Sequence, residues 1–162
     1  MMRQVSFFGD TASRALAGLT VLLLCAGSAT AGSQVAKRDR APAAVVGKVW
    51  QWESFVSPVE TIEVPTPERY LLELLPDGKA RVRFDCNRGG GAYRIAEGQL
   101  GFGALVSTRM GCPPGSLGGR FSQELGRVTT FFVEDGKLYL ELPVDSGTLR
   151  FGPGQTPSKG RK

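Results

Sequence analysis

Three side-chain types decide which reactions this chain could run: histidine, cysteine and carboxylate. Histidine is absent from all 162 residues. That removes histidine-dependent triads, Cys–His dyads and imidazole zinc sites, and with them most common hydrolases. Of the three cysteines, Cys86 and Cys112 stand 26 positions apart, far from the C-x-x-C spacing of redox and metal motifs. The carboxylates Glu73, Asp77, Asp85, Glu124 and Glu134 are scattered along the sequence. A glycosidase would need two such groups facing each other across about 5–9 Å. Neither GxxxxGK[ST] nor GxGxxG occurs, so a phosphate-cradling loop is not indicated. The expectation is a protein that is not an enzyme and uses no cofactor and no metal.

The cysteines also bear on compartment. Arg3 and Arg14 precede an apolar run over residues 16–26, and Ala29-Thr30-Ala31 follows it. This is the layout of a secretory signal with an A-x-A cleavage site, which predicts removal of residues 1–31 and a mature start at Gly32. The run is shorter than the roughly 20 residues a spanning helix needs. Cys25 raises a lipoprotein alternative, but Leu24 is large where a lipid-modified cysteine wants a small neighbour. A soluble periplasmic protein is therefore preferred to a lipoprotein. Cleavage would leave Cys86 and Cys112 as an even pair in an oxidising compartment, which points to one disulfide, with two separate buried thiols as the alternative.

Cleavage would also leave 18 basic against 14 acidic residues, close to the whole-chain charge of +5. Much of the excess sits in two flanks, Lys37-Arg38-Asp39-Arg40 and Lys159-Gly160-Arg161-Lys162. Both read as solvated, mobile ends that could touch an anionic envelope surface. Export argues against a nucleic-acid partner.

Elements that could position a site begin after a linker over residues 32–44, poor in large apolar side chains. A first strand over residues 45–52 puts Trp50 and Trp52 on one face, as core anchors in preference to the rim of a ligand opening. Pro58, Pro65 and Pro67 then restrict residues 53–67 to a loop with at most one short edge strand. The clearest hairpin joins YLLELL to KARVRF through Pro76-Asp77-Gly78, and two more turn at Glu97-Gly98 and Asp135-Gly136. A last strand lies near residues 148–151. Leu117, Phe121, Leu125 and Val128 recur at helical spacing, which predicts one amphipathic helix beginning nearer Arg120 because Gly118-Gly119 weakens its first turn. The fold class expected is mostly β: a small antiparallel barrel-like domain of seven or eight strands with one amphipathic helix, spanning residues 45–152, and a basic flexible tail over 153–162.

Between these elements lie Asp85-Cys86-Asn87-Arg88-Gly89-Gly90-Gly91-Ala92-Tyr93 and Ser107-Thr108-Arg109-Met110-Gly111-Cys112. This pair of segments resembles the META domain family, which includes the bacterial heat-shock protein HslJ. The pattern is a Cys-Asn pair, a glycine and an aromatic, then threonine, methionine and a second cysteine, here Cys86, Asn87, Gly91, Tyr93, Thr108, Met110 and Cys112. Trp50 and the closing FFVEDGKLYLEL segment extend the resemblance. Asp85 departs from it, since many members carry glycine there. The resemblance implies a barrel-like fold, a place in the bacterial envelope, an association with stress tolerance, and no known reaction.

For function, these readings converge on a non-catalytic binding or interaction module in envelope maintenance or stress tolerance. Its partner would be an unidentified envelope protein or small ligand. The alternative is an inhibitor of an envelope-directed enzyme such as a lysozyme or protease. Arg88, Tyr93 and Arg109 are the candidate contacts, because arginine and tyrosine dominate interface centres and here flank a tied-down loop. Asn87 and the glycines also admit a purely structural role.

Overall fold

The computed structural model describes residues 38–155, so the leader, Lys37 and the flank at residues 159–162 lie outside the described residues. A short helix α1 (Pro42–Val45) leads into strands β1 (Val49–Val56), β2 (Thr61–Glu63), β3 (Tyr70–Leu74), β4 (Lys79–Phe84), β5 (Asn87–Ala96), β6 (Gln99–Phe102) and β7 (Val106–Ser107). Helix α2 (Gly118–Leu125) follows, then β8 (Thr130–Glu134), β9 (Lys137–Glu141) and β10 (Thr148–Pro153). Eight of the strands run β10-β9-β8-β6-β5-β4-β3-β1 around an antiparallel sheet that closes through a β10–β1 pairing. The short β2 and β7 pair with β1 and β5 outside that ring.

Period-two alternation produces these strands. Trp50, Trp52, Ala80, Val82, Phe84, Leu138, Leu140, Leu149 and Phe151 point inward and are buried, while charged residues alternate with them on β4 and β9. At both Glu97-Gly98 and Asp135-Gly136 the two turn residues have positive φ, between 50° and 76°. Such primed turns match the right-handed twist of the flanking strands. One end of the interior is filled by α2, whose Phe121 ring stacks on Trp52 at 4.8 Å and meets Tyr70, Phe84 and Phe151 within 6.1 Å. The helix is shorter than the 117–128 periodicity indicates and starts at Gly118, because Gly118 packs against the Phe84 carbonyl where a side chain would not fit.

Two expectations at the amino end are corrected. The first strand starts at Val49, not Val45: residues 42–45 form α1, Val45 is fully buried, and Gly47 turns the chain with φ of 75°. Within the stretch read as a linker, residue 39 is paired to the barrel. Asp39 and Val133 exchange both backbone hydrogen bonds, at 2.8 and 2.7 Å. They do so beside the thinnest part of the closure, where β6 and β8 share the single pair Gln99↔Thr130. Arg38, read as part of a mobile flank, lies over the Phe132 ring at 4.4 Å and pairs with Glu134.

Candidate functional site

Strands β4 and β5 are joined by a two-residue turn, Asp85-Cys86, with Phe84 opposite Asn87. Asp85 has φ of 65°, the left-handed backbone that glycine adopts most cheaply. The residue that departs from the family pattern therefore occupies a position where glycine fits without strain. Its side chain offsets that cost: the buried carboxylate pairs with Arg69, and Oδ2 accepts a hydrogen bond from the Tyr70 hydroxyl at 3.4 Å. The same hydroxyl accepts from the backbone N–H of Leu117 at 2.9 Å, which fixes where α2 begins.

Cys86 is bonded to Cys112, with Cα atoms 5.6 Å apart. Beside the disulfide, Asn87 uses both ends of its amide on the returning segment. Oδ1 accepts from the Met110 N–H at 2.7 Å and the Thr108 hydroxyl at 2.8 Å, while Nδ2 donates to the Met110 carbonyl at 3.1 Å. The Thr108 hydroxyl in turn accepts from the Arg88 N–H, and the Thr108 N–H donates to the Arg88 carbonyl at 3.0 Å. A Cβ on Gly89 would overlap the Val106 carbonyl and one on Gly91 would crowd the Ala104 carbonyl. These glycines are where the returning segment lies directly on β5. Cys86, Asn87, Gly91, Thr108, Met110 and Cys112 thus form one latch holding residues 104–112 to the barrel.

The three candidate contacts separate. Tyr93 is half-buried against the core and its hydroxyl donates to the Leu75 carbonyl at 2.6 Å. Burial, and then the Asp77 charge, push its pKa above the ordinary 10.0. It serves the fold. Arg109 is exposed on the latched loop, flanked by Val106 and Met110, whose side chains are 71% and 58% exposed. Arg88 is exposed on the outer face of β5, opposite Arg83. Sequence reasoning did not single out Arg81 and Arg83, which lie in the KARVRF arm of the hairpin. The signal was present in the two-residue turn, which sets the register.

The scattered carboxylates are each met by a cation: Glu73 by Arg81, Asp77 by Lys79, Asp85 by Arg69, Glu134 by Arg38, and buried Glu124 by Arg120 and Arg127 at 2.8 and 2.9 Å. Among the described residues no group of three metal-ligating side chains converges, and no helix is long and apolar enough to cross a membrane.

The family model for the META domain matches residues 43–154. Among solved structures, an NMR structure of a protein from Burkholderia xenovorans is similar at 26% identity, with 75% of this chain and 94% of that one covered and a TM-score of 0.61. A second NMR structure shares the fold at 20% identity, covering 70% and 94% with a TM-score of 0.53. So does the crystal structure of a duf4847 family protein from Bacteroides vulgatus ATCC 8482, at 10% identity, 69% and 96% coverage and a TM-score of 0.50. No curated protein matches the chain.

Proposed function

This chain belongs to the META domain family, and from that premise we propose that it is an exported, non-catalytic recognition module of the bacterial cell envelope, engaging a protein partner through residues 106–110. The observation that carries this reading is the contrast within that loop. Its backbone is tied by the disulfide and by Asn87, yet Val106, Arg109 and Met110 turn outward. Ordering a loop on binding costs conformational entropy, and a loop already fixed avoids most of that cost. Exposed methionine and valine beside an arginine supply apolar contact and a directed charge.

Export is supported by the leader-like opening of the sequence and by a disulfide that persists in oxidising compartments. The non-catalytic reading is supported by the separate partners of the candidate carboxylates, each of which stands beside its own cation.

The test is affinity capture from an envelope extract with the unaltered protein and with Val106→Ser and Met110→Ser variants that keep their fold. The reading expects a defined partner bound by the first and lost by the others. A partner that is an enzyme losing activity in the complex would make the module an inhibitor. Equal capture by all three proteins would move recognition away from the loop, and turnover of a cell-wall substrate by the pure protein would end the non-catalytic reading.

A further inference from the structure

A second surface is built by strand register and is distinct from the latched loop. Across the outer face of the barrel, two rows of cross-strand neighbours run over β1, β3, β4 and β5. One is Gln51–Leu71–Arg83–Arg88 and the other is Val49–Glu73–Arg81–Gly90. In the first row Arg83 and Arg88 are direct partners on one face, an arrangement in which like charges repel and destabilise the sheet. The second row carries Glu73 beside Arg81 and ends at Gly90. Along these rows lies a depression of about 320 Å³ with Leu71 and Val49 in its lining and three guanidiniums around it. Leu71 is only 8% exposed although it belongs to the outward row.

The three cations are not equally committed. Arg81 is shared with Glu73 at 3.5 Å, and Arg83 donates from Nε to the Asp85 carbonyl at 3.1 Å, which orients it and leaves its two terminal amino groups. The Arg88 guanidinium has no hydrogen-bond or ion-pair partner among the described residues. With one carboxylate against three guanidiniums, the depression keeps an excess of two positive charges.

We propose that this depression binds a small organic phosphate monoester, its phosphate between Arg83 and Arg88 and its apolar body on Leu71 and Val49. A dianionic phosphate matches the excess charge and removes the repulsion between the opposed arginines, and the planar guanidinium presents paired N–H donors to phosphate oxygens. The apolar lining selects an organic body over the bare ion, and the volume lies at the small end of the range for ligand sites.

The experiment is an NMR titration of the purified protein with phenyl phosphate, inorganic phosphate, benzoate and phenol. Phenyl phosphate is expected to shift the amides of Leu71, Glu73, Arg83 and Arg88 saturably, with inorganic phosphate and benzoate binding at least about tenfold more weakly and phenol leaving them unmoved. Arg88→Gln should weaken phenyl phosphate by about tenfold or more, whereas Arg94→Gln, the same charge change farther along β5, should not. No saturable shift at about 10 mM ligand would overturn the proposal. So would equal loss in the two variants, or benzoate binding as tightly as phenyl phosphate. Because loop recognition is read by Val106→Ser and Met110→Ser, failure here leaves that reading standing, and its failure leaves this one.

Discussion

Asn87 and Met110, 23 positions apart, are joined as two residues of a ladder would be: the Asn87 side chain donates to the Met110 carbonyl and accepts from the Met110 N–H, at 3.1 and 2.7 Å. A side-chain amide has a donor and an acceptor side by side, as the backbone has, so it can complete a strand-like pairing where no strand is available. Aspartate keeps only the acceptor and would set a charge against the Met110 carbonyl. Asn87→Ala is therefore expected to lower stability by about 1 kcal/mol, the usual net worth of hydrogen bonds to exposed groups that water can replace. Urea denaturation measures it, and hydrogen exchange should quicken at the Thr108 and Met110 amides. Unchanged exchange there would show that the disulfide alone holds the loop.

The Cys86–Cys112 bond closes a loop of 26 positions. Loop-closure entropy then assigns it about 3.5 kcal/mol. Denaturation of the Cys86→Ser/Cys112→Ser double variant should show a loss of that order, and adding reductant should have no further effect on it. A loss below about 1 kcal/mol would mean that the Asn87 contacts already restrain the segment.

At Asp85, backbone and side chain pull in opposite directions. Asp85→Gly and Asp85→Ala both lose the Arg69 ion pair and the Tyr70 hydrogen bond, but only alanine must hold its Cβ at a φ of 65°. Glycine is expected to be the less damaging by about 1 kcal/mol. Equal destabilisation by the two would show that the turn relaxes to a different backbone.

Tyr93 gives a pH prediction with a definite sign. Its pKa is raised in the fold by burial and by Asp77, so as pH climbs past the ordinary 10.0 the unfolded chain loses this proton before the folded one does. The contribution is fully present below that value and is lost as pH rises through the higher folded pKa. Stability should fall as pH rises above about 10, more steeply in the unaltered protein than in Tyr93→Phe. The variant should itself cost about 1 kcal/mol at neutral pH from the lost bond to Leu75. Parallel profiles would remove Tyr93 as the source.

Much of this architecture is legible in the sequence where the signal is local. The Tyr70–Leu74 and Lys79–Phe84 hairpin, the Asp135-Gly136 turn and the inward Trp50 and Trp52 all follow from alternation and turn chemistry. The attachment of Asp39 to Val133 is carried by backbone atoms alone, so no side-chain pattern announces it. Strand β7 has two residues, too few for a period. Tyr93 shows the limit for the site: its type suits an interface, and only the Leu75 carbonyl 2.6 Å from its hydroxyl reveals that it is used internally. Arg88 and Arg83 needed the register, because neither is unusual until the other stands opposite.

If the latched loop is the recognition surface, in-cell photocrosslinking will trap the partner on it. A photoreactive side chain would be placed at Val106 or Met110, and as a comparison at Val144, which is 97% exposed in the turn between β9 and β10. One discrete adduct is expected from positions 106 and 110, lost when Asn87→Ala loosens the loop, and none from 144. The same adducts from all three positions, or an adduct from 106 and 110 that survives Asn87→Ala undiminished, would contradict it.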